Sequence, residues 1–304
     1  MTRSRNRMTS TSRSALSMTS DRLLAMKNTR NALILVALFV GGTMSLAAEA
    51  QDSVHPYLTE KFTLDLGIFF PERRVSMSVD GPVIAAGEDI DFEETIGLKR
   101  SDEVFSLNFG WRFGEKWQLG AQYFASSGER GKFLEEDVEW NDIIFGQGTG
   151  IVAGQEFDLV RVFFARQFRS SDRGEFGLGL GIHWLEIGAW IEGNAVINGG
   201  AAEFRRESVS ADAPLPNIGA WYMYSFSPKW ALRARLDWLS AKVGEYDGTL
   251  INAAAGVNYQ MFEHVGLGLS YNLFDLDLNV NKDGWHGNVN TRYEGAFVHV
   301  SFYW

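Results

Sequence analysis

Along residues 51–304 apolar and polar residues alternate one by one, in segment after segment of about nine to twelve residues, and this limits the chain more than any other feature. Successive side chains of a strand point to opposite faces, so each segment reads as a strand with one apolar face and one polar or small face. The clearest places Phe105, Leu107, Phe109, Trp111 and Phe113 opposite Ser106, Asn108, Gly110 and Arg112. Others are centred on Leu66, Leu119, Leu180, Tyr222, Ala234, Ala255, Leu269 and Val300, and a less regular one spans Phe157 to Phe168, which makes ten. No apolar stripe of helical period recurs in this region.

A two-sheet sandwich also alternates, so the connections must separate it from a closed barrel. Four are tight: Gly114-Glu115-Lys116, a Ser/Asp/Arg turn between Phe168 and Phe176, Ser227-Pro228-Lys229, and Glu263-His264. The intervening ones are mostly long and polar, at 72–103, 128–155, 190–214 and 281–289, with a short one at 244–248. Phe113, Trp117, Phe168, Phe176, Phe226, Trp230 and the final Trp304 gather at the tight-turn end as an aromatic girdle. Short turns at one end, long loops at the other and an aromatic rim are what a transmembrane β-barrel requires. Lipid cannot satisfy an open sheet edge, so the strands must be even in number and close on themselves. The pattern predicts an all-β, antiparallel up-and-down transmembrane barrel of ten strands, with eight or twelve left open by the 157–168 segment. All six prolines are expected outside its membrane portion.

The first fifty residues read as an address. Lys27 and Arg30 precede an unbroken apolar run from Ala32 to Gly42, and Ala48-Glu49-Ala50 follows. A basic start, a short apolar core and small residues at a cleavage point make residues 26–50 a secretory signal peptide, cut after Ala50. The run is far shorter than the roughly 20 residues of a membrane-spanning helix. Residues 1–25, rich in Ser, Thr and Arg, read as an upstream start or an extended n-region. The part expected to fold, 51–304, carries 21 Lys/Arg against 36 Asp/Glu, a net charge of −15. Phosphate would be repelled, so a nucleic-acid partner is excluded. The chain has no cysteine, which removes thiolate metal sites and cysteine nucleophiles.

With its export signal, ten alternating segments and terminal run Val298-His299-Val300-Ser301-Phe302-Tyr303-Trp304, the chain resembles bacterial outer-membrane β-barrel proteins. It departs from their commonest ending by closing on Trp. The resemblance covers 51–304 and names no functional subfamily. It implies residence in the outer membrane of a Gram-negative bacterium, in contact with lipid and lipopolysaccharide. It also implies passage through periplasmic chaperones and insertion by the barrel assembly machinery, which reads a final strand such as Val298, Val300, Phe302 and Trp304.

Lipid-facing residues hold a barrel in place, whereas inward-facing ones decide what passes. Strand parity turns Asp65, Arg112, Arg161, His183, Arg233, Arg235 and Asp237 inward, with Arg166 snorkelling at the turn end. Unpaired charges in a narrow interior are costly, so Arg233 or Arg235 is expected to pair with Asp237 and Asp65. Ten strands lie nearer the filled eight-stranded limit than the open sixteen-stranded one, and inward Phe124, Trp221 and Phe297 favour filling. Two pairs suggest catalysis. His299 and Ser301 share the inward face near the turn end, and Asp275 and Asp277 lie beyond the membrane near Asp283 and His286. The first is out of reach of lipid, and the second needs a convergence on one water that spacing cannot show, exposed loop acids being usually just solvated, so the reading is non-enzymatic. The acidic runs Glu88, Asp89, Asp91, Glu93, Glu94 and Glu135, Glu136, Asp137, Glu139 lack the spacing of a calcium loop, leaving metal binding open. No cofactor motif is present. Apolar positions change parity after Phe70 and after Leu273, which predicts bulges above the membrane rim. The functional expectation is a surface or envelope role through acidic loops, with a narrow diffusion channel second and an outer-membrane hydrolase third.

Overall fold

The computed structural model describes residues 54–80, 90–92, 94–97, 103–140, 143–197, 202–282 and 285–304. The address segment, Glu88, Asp89, Glu93 and Asp283 lie outside them. A short helix α1 (Pro56–Thr59) leads into β1 (Phe62–Asp80), β2 (Ile90–Asp91), β3 (Val104–Phe113), β4 (Trp117–Phe133), β5 (Val138–Trp140), β6 (Ile143–Phe145) and β7 (Gly150–Ser171). There follow β8 (Gly174–Ile197), β9 (Glu203–Ser227), β10 (Trp230–Val243), β11 (Tyr246–Phe262), β12 (Val265–Lys282) and β13 (Trp285–Tyr303). Ten strands, β1, β3, β4 and β7 to β13, form an antiparallel ring that β1 and β13 close. The four tight turns stand where the pattern places them. Gly114 and Gly244 serve hairpin turns at φ 58° and 61°, a region costly for other residues.

The lower half of the ring is built for lipid. Ile68, Val162, Leu180, Ile182, Ile218, Leu269 and Val298 are exposed on its outer face. The predicted girdle rims the turn end, where Trp117 stacks on Phe164 with ring centroids 4.8 Å apart. Arg166 lies over the Trp117 ring, 5.5 Å from its centroid. A second girdle, not foreseen from sequence, runs through the exposed Phe70, Tyr123, Trp184, Trp238 and Tyr271. Charged residues follow it at once: Glu72 and Arg74 beyond Phe70, Glu186 beyond Trp184, Asp275 beyond Tyr271. That change from aromatic to charge marks the membrane edge.

Beyond the second girdle the strands continue. A tilted span needs about 9–11 residues, yet β7, β8 and β9 have 22, 24 and 25. Most of the connections expected as polar loops are therefore strand. The expected bulges are absent as well. Pairing of β1 with β13 is unbroken from Thr63↔Tyr303 to Asp80↔His286, and of β12 with β13 from Val265↔Phe302 to Lys282↔Trp285. What changes after Phe70 and Leu273 is the chemistry of each face. Inward residues of β12 run Gly266, Gly268, Ser270, Asn272, then Phe274, Leu276, Leu278, Val280, all on one parity. Inside the membrane the apolar face must meet lipid, and above it the outer face meets water, so the apolar residues move indoors.

An apolar core accordingly fills the extension. Phe157 is fully buried, with ring centroids 5.3 Å from Phe124, 5.3 Å from Phe274 and 5.1 Å from Tyr293. The short strands β2, β5 and β6 and their flanks add buried Ile90, Phe92, Ile96, Val138, Trp140 and Phe145 to the same cluster.

Two prolines depart from expectation. Pro216 and Pro214 lie within β9, opposite Ile182 and Trp184, at the height of the upper lipid belt. Pairing of β9 with β10 ends at Ile218↔Trp238, so β9 has a free edge above that point. A missing N–H is tolerated at such an edge, and proline there also blocks pairing with another chain.

Phe157→Ala should therefore lower stability by about 3–5 kcal/mol, whereas Glu156→Ala on the exposed outer face should stay within about 0.5 kcal/mol. Denaturant unfolding of the folded protein in detergent, followed by tryptophan fluorescence, checks both.

Candidate functional site: the polar lumen

Between the apolar core above and the turn end below, the barrel interior is polar, and all seven sequence-predicted charged residues point into it. Arg161 and Asp237 form a buried bidentate pair, with Nε donating to Oδ2 at 2.6 Å and Nη2 to Oδ1 at 2.8 Å. Gly219 makes room for it, since a Cβ there would stand 2.3 Å from Asp237 Oδ1. Arg235 is only flanking, its Nε 3.8 Å from Asp237 Oδ2, and its Nη2 donates instead to Gln122 Oε1 (2.9 Å) and Asn252 Oδ1 (3.1 Å). Asn252 Nδ2 also donates to His183 Nε2 at 2.9 Å, while His183 Nδ1 meets Asn217 Oδ1 at 3.0 Å. That arrangement leaves the His183 ring neutral.

A second cluster forms nearer the turn end. Arg233 Nη2 donates to Asp65 Oδ2 at 2.6 Å, Ser301 Oγ donates to Asp65 Oδ1 at 2.8 Å, and the Tyr57 hydroxyl also donates to Oδ1. Asn258 Nδ2 donates to His299 Nε2 at 3.0 Å and to Ser301 Oγ at 3.2 Å. Arg112 touches the second cluster only through the Tyr57 backbone. It pairs through both terminal nitrogens with Glu175, Nη1 lying 2.6 Å from Oε2, and its Nη2 also donates to the Tyr57 carbonyl at 2.6 Å. Sequence parity thus found the charges but assigned Asp237 the wrong principal partner, and it missed Glu175.

The turn end carries a plug that sequence reading did not foresee. His55, Pro56 and Tyr57 enter the barrel mouth, with Pro56 opening α1 and His55 capping it through Nδ1, which accepts from the Tyr57 N–H at 3.2 Å. Proline suits a first helical position because it has no N–H to satisfy. The His55 N–H donates to Ser225 Oγ at 3.0 Å, and its ring faces those of Tyr57 and Tyr303, with centroids 5.4 and 5.7 Å away. Arg233 lies over the Tyr57 ring, 4.8 Å from its centroid. Between plug and core remains a cavity of about 100 Å³ lined by Arg161, Arg233, Arg235, Asn258, Asn272 and His299 among others.

No protein-family model and no curated protein matches the chain. Among solved structures it is similar to the outer membrane protease OmpT from Escherichia coli, with a TM-score of 0.52 at 10% identity, over 80% of this chain and 97% of that one. The fold is that of a bacterial outer-membrane β-barrel. Weaker similarity extends to the toluene transporter TodX of Pseudomonas putida, at TM-score 0.37 and 9% identity over 82% of this chain and 91% of that one. Ail, the attachment invasion locus protein of Yersinia pestis, gives 0.30 at 11% identity over 79% and 97%.

The candidate catalytic pairs of this outer-membrane barrel do not converge. His299 and Ser301 are buried behind the plug and meet Asn258 rather than each other. Asp275 lies on the outer face of the extension, 3.2 Å from Arg292, and Asp277 accepts from Asn288 Nδ2 at 3.1 Å. Among the described residues, no three His, Cys, Asp or Glu side chains gather as metal ligands.

Asp237→Ala would leave Arg161 without its bidentate carboxylate, and should cost about 3–5 kcal/mol in denaturant unfolding. The plug should respond to acid. Burial holds the His55 imidazole down at about 4, from an ordinary value of 6.5. A released plug would take up a proton that the seated one refuses, so seating is strongest above pH 6.5 and weakens as pH falls toward 4. A nitroxide on Thr59→Cys, in a chain with no cysteine of its own, should gain mobility across that range. Adding His55→Phe should abolish the change.

Proposed function

We propose that this protein resides in the outer membrane of a Gram-negative bacterium as a non-conducting, non-enzymatic barrel, and acts through the acidic surface of its extension at the cell exterior. The observation that carries this reading is the inversion of the inward face: above the membrane the described inward residues form a packed apolar core, which opposes the passage of water and ions. The plug at the turn end supports the same reading. What the extension offers to its surroundings is its outside, where Glu129, Glu135, Glu136, Asp137, Glu156, Glu186, Asp212 and Asp247 are exposed. Such a surface suits a cationic partner, or divalent cations shared with lipopolysaccharide phosphates, and repels bare phosphate. Export rests on residues 26–50, and insertion on the final strand with Val298, Val300, Phe302 and Trp304 on its lipid face.

A narrow channel is the second reading, favoured by the polar mid-lumen. It requires both plug and core to part. Recording from the folded protein in a planar bilayer decides between the two. The sealed-barrel reading expects a silent membrane. Reproducible conductance steps, with a reversal potential that moves when Arg233 and Arg235 are both replaced by Gln, would replace it with the channel.

A further inference from the structure

We infer that the lumen cavity is a binding site for one small monovalent anion, of halide to formate size, held by Arg235 and Arg233. The first ground is charge. Among the described residues, the inward ionised groups within the membrane belt are Arg112, Arg161, Arg233 and Arg235 against Asp65, Glu175 and Asp237, so four guanidinium groups meet three carboxylates. The two histidines there add nothing, because His183 and His299 each accept from an asparagine amide. Every carboxylate is committed: Asp237 to Arg161, Asp65 to Arg233, Glu175 to Arg112. One positive charge is left without a counter-charge inside a barrel sheathed in lipid, where such a charge is expensive.

The second ground is geometry. The excess falls on Arg235: it shares Asp237 with Arg161 at a distance of 3.8 Å, its hydrogen bonds among the described residues go to the neutral amides of Gln122 and Asn252, and its Nε is buried without an acceptor. Arg235 and Arg233 keep 17% and 26% of their side-chain surface open, while Asp237 and Asp65 keep 0% and 2%. Both arginines face inward and line the cavity, so their open surface gives onto it; Asp65 shares that wall, but its carboxylate is almost wholly covered and held by Arg233, Ser301 and Tyr57, while Asp237 is fully buried against Arg161. At about 100 Å³ the cavity has room for several waters, or for one small anion with part of its hydration shell. The Asn258 and Asn272 amides on its wall are further polar groups for such a guest. A dianion would exceed the single surplus charge, and a bulky anion would exceed the space.

A ligand that binds only the folded state stabilises it in proportion to the logarithm of its concentration. The test is thermal unfolding of the folded protein in detergent, prepared and melted in chloride, formate or gluconate at one ionic strength. The midpoint should rise by about 3–5 °C per tenfold increase in chloride or formate once the site begins to fill, and stay level in gluconate, which is too large to enter. Arg235→Gln removes the surplus charge and leaves the Arg161–Asp237 pair intact, so its midpoint should not depend on the anion. Equal slopes in chloride and gluconate, or a chloride slope retained in Arg235→Gln, would overturn the site. Should that variant not fold, anomalous diffraction from the unaltered protein crystallised in bromide decides. A peak in the cavity within hydrogen-bonding reach of Arg235 supports the inference, and a cavity without one refutes it.

Discussion

Every backbone N–H and C=O that crosses a bilayer must find its partner within the protein, because hydrocarbon offers none. Closure of β1 on β13, register by register from Thr63↔Tyr303 onward, meets that demand, and most other features follow from it. A closed ring has an inside and an outside, and strand parity sends alternate residues to each. In the membrane the outside must be apolar, so polar and charged residues are confined to the interior and have to satisfy one another there. The Arg161–Asp237 and Arg233–Asp65 pairs and the asparagines around the two histidines are that necessity met at close quarters. The glycines facing them supply space rather than curvature alone. A Cβ at Gly268 would lie 2.1 Å from His299 Nε2, and one at Gly219 would collide with Asp237.

Once the strands leave the lipid the same geometry faces the opposite solvent, and the two faces exchange chemistry without any change of register. The result is a membrane barrel continued by a water-soluble one with an ordinary apolar core. Three layers are stacked along the axis: an aromatic plug at the turn end, a charged middle, and the apolar core above. The middle layer combines a small cavity, polarity and unbalanced charge, and it is there that the proposed anion would sit.

Likeness to OmpT, at 10% identity, is a likeness of fold. Asp275 is drawn onto the outer ladder by Arg292, and His299 and Ser301 are spent on the asparagine network. A barrel is a scaffold on which unrelated activities are built, and activity must be argued from a site.

Strand count, closure, the lower girdle and the inward parity of Asp65, Arg112, Arg161, Arg233, Arg235 and Asp237 were all legible in the sequence. Period-two alternation against lipid is a local property, and each segment carries it independently. The partners could not be read, because Arg161 meets Asp237 across 76 positions and Arg233 meets Asp65 across 168, and parity gives direction without distance. The plug was hidden for a similar reason, since nothing in His55-Pro56-Tyr57 reveals that it seats against Ser225 and Tyr303. Loss of the outward apolar pattern after Phe70 and Leu273 is visible in the sequence, but by itself it is as compatible with a bulge as with a change of solvent. Whether a parity change means an inserted residue or a new solvent outside is decided by where the neighbouring strands keep pairing, which only the tertiary structure contains.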